Sequence, residues 1–294
     1  MLSSLVGFVA AGAVMTNRKL AYIVKDQNPL VLADNEMVEH ACRLMWERRA
    51  GSVLVVDTEN RLSGIFTGRD AVRFLARGND AATTHLAQAM TPNPVTIAPE
   101  SCAIDALKAM SIAGFRHVPV TEHGRIWGVV SRGDFQGMEF EEFDWDGVSK
   151  ATGMTANREV ASIIKNQKPL VLGADETVQR ACQSMTESGC GSVLVVDEQQ
   201  RLTGIFTGRD AVRLLAQGAD VDATRLARAM TPNPVTIAPE SHAIDGLRAM
   251  SELGFRHLPV IENETIWGIV SRGDFTGMEI DRLEEETHLW ECIR

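Results

Sequence analysis

The chain repeats itself at a fixed offset of 140 residues, and this repeat constrains the fold more than any other feature. Residues 51–78 read GSVLVVDTENRLSGIFTGRDAVRFLARG, and residues 191–218 read GSVLVVDEQQRLTGIFTGRDAVRLLAQG, without a gap. The stretch AMTPNPVTIAPES occurs unchanged at 89–101 and at 229–241. Because a long internal repeat is typical of a duplicated folding unit, we predict two equivalent halves.

A weaker repeat at an offset of 64 residues lies inside each half, where it aligns Gly64 with Gly128 and Asp70 with Asp134. Each half therefore contains two related units of roughly sixty residues, and the chain contains four units. We predict two modules with a polar linker between them and an acidic helical tail inside the second, with these bounds: module one 1–140 (units 17–80 and 88–138), linker 141–156, and module two 157–294 (units 157–220 and 228–278).

Each unit reads as strand, helix, strand, strand, helix, which predicts an α/β (α+β) fold. In the first unit the apolar residues of 38–45 recur at helical spacing. The apolar, β-branched run 53–56 is typical of a strand buried on both faces, and 62–66 follows as its hairpin partner. In the second unit, 95–97 is the predicted first strand. Because one unit is too small to bury both faces of its sheet, we expect two units to pack sheet against sheet.

Charge and cysteine usage exclude some classes of function. The net charge of −10 argues against nucleic-acid binding, which needs a basic face. The five cysteines are scattered and form no CxxC pair, so we expect neither disulfides nor a metal site. The apolar run 5–15 is too short to span a bilayer. We therefore expect a cytoplasmic protein with no membrane or nucleic-acid partner.

One strand-to-helix corner recurs in all four units. It consists of glycine, two apolar residues, Thr or Ser, two residues that include Gly and Arg, and then Asp. A hydroxyl and the first N–H groups of a helix can hold a phosphate. The alternative is that the hydroxyl and the carboxylate only cap the helix. The corners span 64–70, 128–134, 204–210 and 268–274.

These corners, the Val-Leu-Val-Val-Asp or His-Val-Pro-Val strand before them, the proline-entered first strand and the pairing of units resemble the CBS domain family over about 260 of the 294 residues. The resemblance implies two tandem Bateman modules in a disc, as in stand-alone bacterial CBS proteins and the γ subunit of AMP-activated protein kinase. It also implies clefts for AMP, ADP or ATP, with apolar strand ends beside the base, a hydroxyl near the phosphate and Asp on the ribose. The corresponding residues are Thr67, Asp70, Ser131, Asp134, Thr207, Asp210, Ser271 and Asp274.

Two Arg-His pairs distinguish the second and fourth units: Arg116-His117 and Arg256-His257 begin strands at which the sister units have Ser-Val. A cation at the start of a buried strand needs a counter-charge. We interpret each pair as a phosphate clamp and expect two tight sites in the chain, one in each module. The alternative is a structural ion pair with a nearby carboxylate.

No catalytic motif stands out, so the sequence predicts a protein that is not an enzyme. We expect it to bind an adenine nucleotide and to signal to an effector protein in trans. No cofactor is required, and Mg²⁺ is an optional companion of ATP. The alternatives are another ligand such as S-adenosylmethionine or a dinucleotide, a purely structural dimerisation module, or a nucleotide hydrolase. The disc would form from one chain or from a homodimer.

Overall fold

The computed structural model describes residues 17–135 and 158–275. The predicted linker 141–156, the acidic tail after 278 and the apolar run 5–15 lie outside the described residues. Within the described part of the chain, no helix is long and apolar enough to cross a membrane.

The first half alternates short helices and strands in the order that the repeat predicts. Its first unit contains α1 (Leu20–Ile23), β1 (Val31–Ala33), α2 (Val38–Glu47), β2 (Ser52–Val56), β3 (Leu62–Thr67) and α3 (Gly68–Ala76). It continues through α4 (Leu86–Ala89), β4 (Thr91–Pro92), α5 (Ala103–Ala113), β5 (His117–Glu122), β6 (Arg125–Ser131) and a 3₁₀ turn (Arg132–Asp134).

The second half repeats this order. Its elements are α6 (Val160–Ile164), β7 (Val171–Gly173), α7 (Val178–Ser188), β8 (Ser192–Val196), β9 (Leu202–Thr207), α8 (Gly208–Ala216), α9 (Leu226–Ala229), β10 (Thr231–Pro232), α10 (Ala243–Leu253), β11 (His257–Glu262), β12 (Thr265–Ser271) and a 3₁₀ turn (Arg272–Asp274).

Unit one is built on a sheet in the order β1-β2-β3-β4, in which β1 and β2 are parallel and the other neighbours are antiparallel. All five residues of β2 are buried, and β2 and β3 form the predicted hairpin. Unit two has only the hairpin β5-β6. Of the predicted strand 95–97, Ile97 alone pairs, through a single parallel bridge to Val120. That strand is therefore shorter than predicted.

The two units of a module exchange segments. Leu20 and Val24, which precede the first strand of unit one, are buried in the core of unit two beside Ala106 and Val118. In return, Leu86 is buried with unit one, and β4 adds a strand to its sheet. The second half repeats the exchange from its own α6. Neither unit of a module therefore has a complete core of its own.

The largest buried cluster joins unit one to unit three, through contacts of α2 with α8, of α3 with α7 and of α3 with α8. We expected the sheets within one module to share a core. Instead, apart from the exchanged segments, none of the buried clusters of 17–135 and 158–275 combines both units of a module. Helix α3 buries Ala71, Val72, Phe74 and Leu75, and this broad apolar surface can contact both its own sheet and the other module.

The two modules approach closely at the first residues of α3 and α8. A Cβ atom on Gly68 would lie 3.2 Å from the carbonyl oxygen of Gly208, and a Cβ atom on Gly208 would lie 3.0 Å from that of Gly68. Glycine at this position of the corner thus lets the two helix starts meet.

Candidate functional site

The corner of unit one is closed by the chain's own hydrogen bonds. Oδ2 of Asp70 accepts hydrogen bonds from the backbone nitrogen and the hydroxyl of Thr67, at 2.8 and 2.7 Å. Its Oδ1 accepts from the hydroxyl of Thr91 at 2.8 Å and from Nη2 of Arg73 at 2.9 Å. Only 3% of Asp70 is exposed. A carboxylate offers about four acceptor sites, and all four are used here.

Unit three repeats this closed corner. Asp210 accepts from the backbone nitrogen and the hydroxyl of Thr207, both at 2.9 Å. It also accepts from the hydroxyl of Thr231 and from Nη2 of Arg213, both at 3.3 Å. The contacts in units one and three are those of the helix-cap alternative. The predicted nucleotide contacts of these two Thr-Asp pairs stay untested, and the carboxylates have no acceptor site left for a ribose.

The corners of units two and four are more open. Oδ2 of Asp134 accepts from the backbone nitrogen and the hydroxyl of Ser131 at 2.6 and 2.8 Å, and Asp274 accepts from Ser271 at the same distances. Among the described residues, no donor reaches Oδ1 of either aspartate. Both carboxylates are half-buried. Each of these corners therefore has one carboxylate oxygen available to a ligand.

The two Arg-His pairs meet at the junction of the modules. A Cβ atom on Gly51, just before β2, would lie 2.8 Å from Nε2 of His117 and 3.8 Å from Nη2 of Arg256. A Cβ atom on Gly191 would lie 3.4 Å from Nε2 of His257 and 3.2 Å from Nη2 of Arg116. Each glycine thus lies beside a histidine of its own module and an arginine of the other.

Four more arginines, all from the corners, surround these pairs. Arg69 and Arg209 donate to the carbonyl oxygens of Gly114 and Gly254 at 3.0 and 3.4 Å. Arg132 donates across the module junction to the carbonyl oxygen of Gly273 at 3.1 Å. We call the full set the central arginine cluster; it comprises Arg69, Arg116, Arg132, Arg209, Arg256 and Arg272.

No member of the central arginine cluster forms an ion pair with a carboxylate of the described residues. The acceptors found are neutral carbonyl oxygens, which leave the positive charge uncompensated. Arginines elsewhere in the fold, by contrast, pair with aspartates: Arg61 with Asp57 at 2.9 Å and Arg201 with Asp197 at 2.8 Å. In a chain of net charge −10, such a group of unpaired cations is suited to an anion.

Burial, together with the surrounding cations, opposes the charge on the two clamp arginines. Burial lowers the pKa of Arg116, and Arg69, Arg256 and Arg132 lower it further, while Asp274 of the other module raises it. The pKa of Arg256 is lowered by burial and then by Arg209 and Arg272, and Asp134 raises it. Both guanidinium groups nevertheless keep a large exposed surface. Such a combination is found for side chains that line an open cleft.

The two histidines are neutral at pH 7. Burial, followed by the positive charges of Arg256 and Arg116, lowers the pKa of His117 to about 4. The pKa of His257 is also lowered to about 4, by burial and then by the same two arginines. Nε2 of His257 is buried and has no hydrogen-bond partner. A buried ring nitrogen without a partner is costly, and a ligand in the cleft could supply one.

Apolar side chains suited to the base are exposed where the sequence predicts them. Val31 in β1 is 39% exposed and Val95 is 56% exposed, although both are apolar. Val235, the equivalent of Val95 in the second half, is 46% exposed. Exposed valines at strand ends offer flat surfaces on which a purine could lie.

The sequence interpretation missed part of the site. Gly51 and Gly191 went unnoticed, although each is a glycine kept at the start of the same strand in both halves. The crossing of Arg116 and Arg256 to the opposite module has no sequence signature. It depends on how unit one packs against unit three.

Comparison with known proteins places the fold in a family. The sequence model of the CBS domain matches the chain four times, at residues 21–77, 86–137, 160–217 and 225–278. Among curated proteins, CBS domain-containing protein CBSCBSPB5 of Arabidopsis thaliana is 30% identical over 266 residues, which cover 80% of this chain and 48% of that protein. The chain spans about half the length of the plant relatives it matches.

An archaeal protein is similar along most of the chain. Protein MJ1225 of Methanocaldococcus jannaschii, proposed as an archaeal homologue of γ-AMPK, superposes with a TM-score of 0.71 at 17% identity, covering 90% of this chain and 99% of that one. In sequence it is 24% identical over 197 residues, which cover 66% of this chain and 69% of that protein. The four matched repeats and this common fold confirm the predicted tandem pairs: the chain belongs to the CBS domain family.

Proposed function

We propose that this protein is a non-catalytic sensor that binds adenine nucleotides through their phosphates and passes the bound state to a partner protein. Membership of the CBS domain family is compatible with this role, and the site geometry argues for phosphate. The two sites that we propose lie at Gly51 and Gly191, one for each module.

The central arginine cluster is the observation that carries the proposal. Its six guanidinium groups converge at the module junction without an ion-pair partner among the described residues. Guanidinium groups bind phosphate oxygens in a bidentate manner, and hydrogen bonds to charged groups contribute about 1.5–3 kcal/mol each. A di- or triphosphate would supply the negative charge that these arginines lack.

The open corners fit the rest of a nucleotide. The available Oδ1 atoms of Asp134 and Asp274 can accept hydrogen bonds from ribose hydroxyls, and exposed Val31 and Val95 can contact a base. The closed corners at Asp70 and Asp210 lack such an acceptor. We therefore expect about two tight nucleotides per chain, with AMP, ADP and ATP as candidates.

A cationic ligand fits less well. S-adenosylmethionine carries a positive sulfonium, which the arginine cluster would repel. A dinucleotide has the required phosphates and stays an alternative. A purely structural module would have no need of six unpaired arginines at its centre.

Isothermal titration calorimetry of the full chain tests the proposal, with AMP, ADP, ATP, NAD⁺ and S-adenosylmethionine as ligands. We expect a stoichiometry near two for a nucleotide. Replacing Arg116 and Arg256 together by Ala should weaken each site about 10- to 100-fold, because each loses a charged hydrogen bond. The matched control replaces Arg61 and Arg201 by Ala, which removes the same charge from exposed turns. No binding of any ligand, or equal losses in both variants, would refute the proposal.

Three further points belong to the same proposal. We place the protein in the cytoplasm, where adenine nucleotides are abundant, and its effector acts in trans. Titrations with EDTA or with Mg²⁺ decide whether the metal ion accompanies ATP. An assay of phosphate release from ATP checks the absence of catalysis, and turnover that the Arg116→Ala variant abolishes would identify an enzyme.

A further inference from the structure

We propose that bound phosphate fastens unit two to unit four, so that the ligand sets the angle between the modules about the core shared by units one and three. This inference rests on the proposed function and adds how binding would change the molecule. It combines an unequal distribution of apolar packing with sites assembled from both modules.

The packing between the modules is one-sided. Units one and three share one continuous buried cluster, through the contacts of α2, α3, α7 and α8. Units two and four each have a separate buried cluster, and no described residue belongs to both. Apolar packing therefore holds one edge of the module junction and leaves the other edge to polar contacts.

The polar contacts at the second edge coincide with the candidate sites. Gly51, His117 and Asp134 of module one receive Arg256 from module two, and Gly191, His257 and Asp274 of module two receive Arg116 from module one. A phosphate held by the histidine of one module and the arginine of the other contacts both modules at once. Two such ligands would act as two symmetry-related bridges.

Without a ligand, charge repulsion acts across this edge. Arg116 faces Arg256 and Arg132 and is opposed mainly by one carboxylate, that of Asp274. Like charges that face each other across an interface push it apart, and an anion between them reverses the sign of the interaction. A ligand that binds the closed arrangement better than the open one shifts the population towards it.

Distance measurements by double electron–electron resonance test the inference in the full chain. Nitroxide labels at Ile112→Cys and Glu252→Cys, both exposed, report on units two and four. Labels at Thr58→Cys and Glu198→Cys, in exposed turns of units one and three, form the reference pair. The partly exposed native cysteines Cys102 and Cys190 and the C-terminal Cys292 are first replaced by Ser, and calorimetry confirms ATP binding in that background.

We expect saturating ATP in EDTA to narrow the distance distribution between units two and four at least two-fold and to leave the reference pair unchanged. Inorganic pyrophosphate at millimolar concentration should have the same effect, whereas adenosine should have none, because the anion does the fastening. The Arg116→Ala, Arg256→Ala double variant should keep the broad distribution in pyrophosphate.

Calorimetry on the labelled protein separates the possible failures. ATP binding at a stoichiometry near two with an unchanged distribution would overturn this inference and leave the proposed function intact. Narrowing by adenosine alone, or equal narrowing of the reference pair, would also overturn it. A complete lack of ATP binding would refute the proposed function and this inference together.

Discussion

Exchanging one aspartate for alanine should have opposite consequences in neighbouring units. Asp70 is buried and accepts four hydrogen bonds, from Thr67, Thr91 and Arg73. Its loss removes a helix cap, worth about 0.5–2 kcal/mol, and leaves buried donors without a partner, at about 1–3 kcal/mol. We expect Asp70→Ala to lower the free energy of unfolding by about 3 kcal/mol, with Arg73 discounted because it is partly exposed.

Asp134 occupies the equivalent position in unit two but is half-buried, and only its Oδ2 accepts hydrogen bonds, both from Ser131. Asp134→Ala should cost stability only about 1 kcal/mol, the usual value of a cap. It should weaken nucleotide binding in module one about 10- to 100-fold, because a ribose would lose its charged acceptor. Asp274→Ala should do the same in module two.

Urea unfolding and calorimetry on the same protein samples measure both effects. The expected pattern is a lower midpoint with retained affinity for Asp70→Ala, and a near-normal midpoint with reduced affinity for Asp134→Ala. If Asp70→Ala is as stable as the wild type, the capping contacts have been overvalued. If Asp134→Ala binds normally, its free oxygen does not contact the ligand.

Three other predictions follow from the site and the shared core. Gly51→Ala should displace the ring of His117 and weaken binding, whereas Gly133→Ala, whose methyl group would meet nothing nearer than 3.8 Å, should bind normally in calorimetry. Because the pKa values of His117 and His257 are lowered to about 4, the unfolded chain binds more protons below its own pKa of about 6.5, so stability should fall as pH drops from about 6.5 towards 4; urea midpoints for the wild type and for a variant with both histidines replaced by Gln should show this slope only in the wild type. Proteolysis near Asp146 should give two compact halves that co-elute in gel filtration, since they share a core, and immediate separation of the halves would contradict that packing.

Local structure was predictable where spacing and chemistry determine it. The apolar spacing in 38–45 identified the buried face of α2, and the run 53–56 identified a strand buried on both faces. The Thr-x-x-Asp pattern identified the capped start of α3. These elements depend on contacts between residues close in sequence, which one sequence reveals.

The roles within the site were less predictable, because they depend on distant contacts. The Thr-Asp pairs of units one and three and the Ser-Asp pairs of units two and four share a motif. They differ because Thr91 and Arg73 complete the first set of contacts, and Thr91 is 21 residues away from Asp70. Likewise, nothing in the Arg116-His117 dipeptide indicates that its two side chains serve different modules.

The exchanged segments of each module have a consequence for how such a gene can grow. Because Leu20 completes the core of unit two and Leu86 completes that of unit one, copying a single unit would yield a fragment with an unfilled interior. Copying the interlocked pair yields a product that folds, with a ready partner for the apolar surface of α3. The ungapped offset of 140 residues, beside the worn offset of 64, fits a history in which the pair was the heritable block.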